Sequence, residues 1–366
     1  MRFSIVTETY PPEINGVALT VRTLETGLRA RGHAVDLVRP RQSAADTGAP
    51  HETLVRGKGI PGYPGLRFGL PSGSRLRQCW REERPDAIYV ATEGPLGWSA
   101  VRAARALGIP AATGFHTRFD DYAGKYAASF LTPLVFAWLR RFHNRGSATL
   151  VPTRQLADDL AGRGFARVEL MRRAVDTTRF DPSLRDAALR EAWGVPNDGL
   201  AVIHVGRIAA EKNLDLVVAA FRRIQAQRPD ARMVWVGEGP VRESLQRTHP
   251  DFIFAGLQLG EALARHYASA DLFLFPSLTE TFGNVTLEAM ASGIATVAFD
   301  YGAAREHLRD AEHGACVPFG NEAGFLAAAQ RLALDVPALR RMGEAARASI
   351  AHLSPASVIE RFETLL

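Results

Sequence analysis

Short apolar runs of strand length recur along this chain, and segments with helical periodicity lie between them. In the first half they fall at Arg2–Thr7, Ala34–Arg39, Ala87–Ala91, Ala111–Phe115 and Ala148–Val151. In the second half they fall at Ala201–Val205, Arg232–Val236, Phe252–Ala255, Asp271–Phe275 and Ala295–Phe299. Buried strands that alternate with helices predict parallel sheets covered by helices on both faces. There are two such sets, so the expected fold class is α/β, with two doubly wound domains. The polar, proline-punctuated stretch from Val175 to Gly199 reads as the connection between them. The boundaries expected are 1–178 for the first domain, 179–350 for the second, and 351–366 for a terminal amphipathic helix that packs back on the first. Facing domains of this kind leave a cleft at the carboxyl ends of their strands, where ligands bind in open α/β sheets. The chemistry is therefore expected in loops just after strands.

A chain of 366 residues is long enough for two cores. Its two cysteines, Cys79 and Cys316, form neither a disulfide framework nor a metal spacing, which points to a reducing cytoplasm. The longest apolar run, Ala127–Leu139, falls short of the roughly 20 residues a membrane span needs. The N-terminal stretch reads as strand and proline loop, without the apolar core of a signal peptide. Charge is uneven. Residues 1–180 hold 26 Lys+Arg against 16 Asp+Glu, and the remainder 18 against 23. A basic first half is expected to meet something anionic, although arginine outnumbers lysine 41 to 3, which also reflects composition bias.

The densest chemistry lies in 271–302, which reads as strand, loop, short helix, strand. Glu280 sits in the loop and Glu288 on the second turn of the helix, with Thr281-Phe282-Gly283-Asn284 following Glu280. Free N–H groups at the helix start suit an anion or a hydroxylated ligand. One carboxylate for sugar hydroxyls, one for ribose hydroxyls and amides between them would fit a nucleotide sugar. The bland reading is a loop carboxylate capping a helix beside a solvated glutamate. The second candidate is 204–213, after the first strand of the second half. Gly206 permits close backbone approach, and Arg207 and Lys212 carry the charge to stabilise a departing diphosphate. Surface charge at a helix start is the alternative.

Two further loops belong to the first half. Asn15-Gly16, after the first strand, could turn and present amides to a phosphate, or could be only a turn. His116, just after a buried run, could bond a sugar hydroxyl or a developing charge, although a lone histidine is more often structural. Asp120 and Asp121 read as a helix N-terminal charge pair. Residues 122–145 mix aromatic and aliphatic side chains with Lys125, Arg140, Arg141 and Arg145, which suits either an anionic lipid surface or a core helix with solvated ends. No Asp-x-Asp and no metal-ligand spacing occurs. The Asn15-Gly16 loop carries no GxGxxG, and no P-loop is present.

Taken together these residues resemble the retaining glycosyltransferases of family 4, with the two-domain GT-B fold. The resemblance spans essentially the whole chain. It rests on the Tyr10-Pro11-Pro12 and Asn15-Gly16-Val17 opening, Phe115-His116-Thr117, Gly206-Arg207 with Glu211-Lys212-Asn213, and Glu280 and Glu288 with Phe282-Gly283 between them. It implies that Glu280 contacts donor-sugar hydroxyls and Glu288 the ribose. The segment Phe282, Gly283, Asn284 and Val285 would serve sugar and phosphates. Arg207 and Lys212, beside Gly206, would hold the diphosphate, with Gly16 closing on it from the other domain. His116 would face the sugar near its reacting carbon. It implies front-face attack without a required metal or other cofactor. The opening and the 115–122 segment look most like GDP-mannose-dependent mannosyltransferases and diacylglycerol glycosyltransferases.

The expected partners are a GDP-mannose or UDP-hexose donor and a lipid or glycan acceptor, with no nucleic acid. The expected place is the cytoplasm, peripheral on an anionic membrane. The alternatives are a non-hydrolysing nucleotide-sugar epimerase of the same fold and a catalytically silent sugar-nucleotide-binding subunit.

Overall fold

The structure is a computed structural model that describes residues 1–13, 15–43, 45–60, 63–116, 132–196 and 198–366. The chain divides into two compact units. One is Met1–Arg173 together with Pro355–Leu366, and the other is Ala174–Ser354.

The first unit is built on a seven-stranded parallel sheet. Its strands are β1 (Arg2–Val6), β2 (Ala34–Pro40), β3 (Glu52–Val55), β6 (Ala87–Val90), β7 (Ala111–Gly114), β8 (Ala148–Val151) and β9 (Val168–Leu170), with the spatial order β3-β2-β1-β6-β7-β8-β9. A small antiparallel hairpin, β4 (Gly57–Ile60) with β5 (Tyr63–Gly69), stands apart from it. Side-chain alternation assigns the two faces. Phe3, Ile5 and Tyr89 pack with Leu24, Leu28, Ile359 and Phe362 on one side. Val6, Ile88 and Val90 pack with Leu76, Trp80 and Ala100 on the other. The first group includes the terminal helix, Pro355–Leu365, which lies on the Gly16–Ala30 helix.

The second unit has a six-stranded sheet of β10 (Ala201–Val205), β11 (Arg232–Val236), β12 (Ile253–Gly256), β13 (Leu272–Phe275), β14 (Ala295–Phe299) and β15 (Gly314–Val317), ordered β12-β11-β10-β13-β14-β15. Its pairings are parallel. Ile203, Phe273 and Phe275 fill one face, and Val202, Leu272 and Leu274 the other. In both units chain order reverses beside the first strand, at β1/β6 and at β10/β13. Those are the points where open α/β sheets bind ligands.

The stretch 175–199 is not a linker. It carries a short helix, Ala187–Ala192, and buries Phe180, Trp193 and Val195 in the second core. Arg190 and Arg185 both donate to the buried carboxylate of Asp271, at 2.9 and 2.7 Å. Its polarity misled the sequence reading because the arginines are consumed internally by one aspartate.

Candidate active site

Lys212 and Glu280 sit on either side of the switch point between β10 and β13. The loop after β10 is held by its neighbour after β11. Gly206 N–H donates to Val236 O at 3.0 Å, and Ile208 N–H to Glu238 O at 3.0 Å. A side chain at Gly237 would put Cβ 2.0 Å from Gly206 O, and one at Gly239 would put it 2.2 Å from Ile208 O, so both glycines are needed for the loops to close. A single 3-10 turn, Ala210–Lys212, then ends at Asn213 in the left-handed region (φ 56°) before the Leu214–Gln227 helix. The Lys212 ammonium at the end of that turn donates to Glu280 Oε1. The same oxygen accepts Ser277 Oγ–H at 2.9 Å, and Lys212 Nζ lies 3.4 Å from Thr279 O.

Gly283, with φ 91°, turns the loop into the Asn284–Ala291 helix, which has no side-chain cap at its N-terminus. The helix therefore presents partial positive charge and amides beside Glu280. Phe282 is buried beneath, and its carbonyl accepts Ala303 N–H at 2.6 Å from the loop after β14. Val285 packs against the core from the first turn. One turn further on, Tyr267 donates its hydroxyl to Glu288 Oε2 at 3.1 Å. Burial pushes the Glu288 carboxyl up to about 7, against the opposing effect of the Tyr267 hydrogen bond. Arg207 is half exposed, with Nη1 3.5 Å from Glu211 Oε1 on its own loop. His204, under this loop on β10, donates Nδ1–H to Leu274 O at 3.0 Å and is lowered to about 4 by burial.

The expected residues Gly206, Arg207, Lys212, Glu280, Phe282, Gly283, Asn284, Val285 and Glu288 thus lie in loops and a helix start at the carboxyl ends of one sheet. Gly16 and His116 belong to the other unit. Gly16 opens the Gly16–Ala30 helix, but the Asn15 carboxamide already takes the amides of Val17 and Ala18, at 3.1 and 2.9 Å. His116 is buried, and both ring nitrogens have partners in its own unit, Tyr89 and Arg173. Asp120, Asp121, Lys125 and the rest of 117–131 lie outside the described residues.

The sequence reading missed Ser277, Tyr267, Tyr89 and Arg173. Ser277 precedes Glu280 by one turn of chain and carried a local signal. The other three reach their partners only through tertiary contacts. Among the described residues no group of three or more His, Cys, Asp or Glu could hold a metal ion, and no helix is long and apolar enough to cross a membrane.

Two doubly wound units, each with a switch point beside its first strand, are the layout of a GT-B fold. Comparison with known proteins agrees. Residues 14–179 match the family described as Glycosyltransferase Family 4, and residues 199–335 the one described as Glycosyl transferases group 1. A GDP-mannose-dependent alpha-mannosyltransferase of Mycolicibacterium smegmatis is 34% identical over 357 residues, 96% of this chain and 92% of that protein. An alpha-monoglucosyldiacylglycerol synthase of Streptococcus pneumoniae is 27% identical, over 81% of this chain and 71% of that one. The solved structure of Anabaena HepE in complex with UDP superposes with TM-score 0.79 at 17% identity, covering 100% and 99% of the two chains. The chain belongs to glycosyltransferase family 4. It is a hexosyltransferase that draws on a nucleotide-sugar donor, and none of these relatives supports the epimerase alternative.

Proposed function

We propose that this protein is a retaining, metal-independent transferase that moves mannose from GDP-mannose to a hydroxyl of a lipid or glycolipid at an anionic membrane. The observation that carries this is the Lys212–Glu280 pair at the β10/β13 switch point, beside an uncapped helix start and one turn from Glu288. Lys212 and Arg207 supply the charge for a leaving diphosphate. The amides of Phe282, Gly283 and Asn284 serve the phosphates and sugar, with Val285 seating the turn. Glu280 takes sugar hydroxyls and Glu288 the ribose. The acceptor oxygen attacks the anomeric carbon on the face the diphosphate leaves, and its proton passes to the departing phosphate oxygen. The first unit takes the acceptor. Guanosine and mannose are favoured by the Mycolicibacterium relative. A UDP-hexose is the second reading, favoured by HepE with UDP bound.

A basic aromatic surface on the first unit supports the membrane reading. Leu134 and Trp138 are exposed at 67% and 41% on the Thr132–His143 helix. Trp138 stacks on Phe142, and the Arg145 guanidinium lies 5.1 Å from the Trp98 ring centre. Arg145 is lowered by burial and by the nearby charges of Arg141, Arg105 and Arg102. Such a patch suits anionic headgroups.

The test is release of nucleoside diphosphate from a panel of GDP- and UDP-sugars, in EDTA, with and without lipid vesicles. Release from GDP-mannose that an acceptor lipid accelerates is the expected result. Dependence on added Mg²⁺ would overturn the metal-free mechanism, and release from a UDP-sugar alone would overturn the donor.

A further inference from the structure

Arg173 ends the first of the two segments that make up the first unit and lies just past β9. It is buried, at 7% exposure, and its Nη1 has no hydrogen-bond partner among the described residues. Its Nη2 donates to Nδ1 of His116. A guanidinium has only donors, so Nδ1 must offer a lone pair. A neutral imidazole with Nδ1 bare carries its hydrogen on Nε2. That nitrogen lies 2.6 Å from Tyr89 Oη and therefore donates to it. The contact is built in by β7, which ends at Gly114. A Cβ there would fall 2.2 Å from Tyr89 Oη and 2.4 Å from His116 Nε2.

Among the described residues, the groups that face this imidazole are Tyr89 from β6, Arg173 from the end of β9, and His143 from the Thr132–His143 helix. Behind His143, Glu93 Oε1 is 3.5 Å from its Nε2, and Thr113 Oγ1 is 2.8 Å from its Nδ1. Burial first, then Arg173, then His143 pull His116 well below the usual histidine range. A second proton would have to sit on Nδ1, pointing at a cation.

We propose that Arg173 is a positioning residue that holds His116 as the neutral Nε2–H tautomer, its one N–H given to Tyr89, so that this imidazole does not take up a proton during transfer. The inference rests on the transfer reaction proposed above. It fits a reaction in which the acceptor proton goes to the departing phosphate oxygen while the acceptor O–C bond forms and the sugar C–O bond to phosphate breaks. No histidine base is then required.

The experiment is long-range ¹⁵N–¹H spectroscopy of the full-length protein, with His116 assigned by its loss in H116Q, together with pH–rate profiles of wild type, R173K and R173M. In wild type, His116 should show a bare Nδ1 and no titration between about pH 5 and 8. R173M should make His116 titrate and bring in an acid limb. On that limb kcat/KM falls about tenfold per pH unit and recovers by about pH 8. R173K should keep the wild-type shape. A hydrogen on Nδ1, titration of His116 in the wild-type protein, or an R173M profile parallel to wild type would overturn the proposal. Wild-type turnover in H116Q would overturn the role of His116 itself. The spectra separate that failure from a wrong tautomer, and the wild-type spectrum decides the tautomer even where R173M does not fold.

Discussion

Glu280 and Lys212 are bonded to each other through Glu280 Oε1, which also receives the Ser277 hydroxyl. The carboxylate proposed for the sugar and the cation proposed for the diphosphate therefore hold one another in place before any donor arrives. Both are largely buried, with side-chain exposures of 16% each. Removing either leaves the other without its counter-charge.

That pairing makes the two residues energetically inseparable. Glu280→Ala and Lys212→Ala should each lower kcat by about 10²–10³. The double variant should lose much less than the product of the two, because side chains in contact do not act additively. Steady-state kinetics on the four proteins measure this. Fully multiplicative losses would show that the pair is not coupled in the working enzyme.

Donor affinity should depend on pH through Glu288. Burial raises its carboxyl to about 7, so it is mostly charged above that pH and mostly neutral below it. A charged carboxylate is the stronger acceptor for ribose hydroxyls. The donor KM should therefore rise as pH falls from about 8 to 6, by up to about tenfold. Glu288→Gln should give a raised KM with a flatter profile. An unchanged slope in that variant would assign the dependence to another group.

Glu8 should make stability pH-dependent in the first unit. Its carboxylate accepts Leu96 N–H at 2.9 Å at the start of the Pro95–Leu107 helix, yet burial still raises it from 4.5 to about 7. The folded state therefore holds this proton more tightly than the unfolded state. The contribution is full below about pH 4.5, declines as the unfolded carboxyl ionises, and levels off above about pH 7. Glu8→Gln stays neutral throughout and should show a shallower fall in Tm between pH 5 and 8. An equal fall in both proteins would remove Glu8 as the cause.

Membrane attachment should follow the arginines around Trp98 and Trp138. Replacing Arg141 and Arg145 with Gln should weaken co-sedimentation with anionic vesicles by about fivefold per charge removed. Added salt should weaken it too, while binding to neutral vesicles stays low. Equal binding to neutral and anionic vesicles would place the attachment elsewhere.

Strand positions were legible wherever a strand is covered on both sides. β8, β10, β11 and β14 match their apolar runs residue for residue, because a strand buried on both faces must be apolar throughout. β3, β9 and β15 escaped notice, and each lies at the edge of its sheet. β3 and β9 are short and partly exposed, so they carry no continuous apolar signal, whereas β15 is buried but only four residues long. The same division holds at the site. Glu280, Lys212 and Gly283 could be found because loop position and residue type coincide locally. Tyr267 and Arg173 could not, since an arginine in an arginine-rich chain announces nothing until its distant partner is seen.

The terminal helix bears on how the molecule is made. Phe362 packs edge-on against Tyr89 at 5.0 Å between ring centres, and Ile359 sits against Gly27. These residues leave the ribosome only after the whole of Ala174–Ser354 has been synthesised. The unit begun first is therefore the one completed last. Until Pro355–Leu365 docks, the face that supports Tyr89, and through it His116, stays open. The first core is thus finished only once both halves of the chain exist.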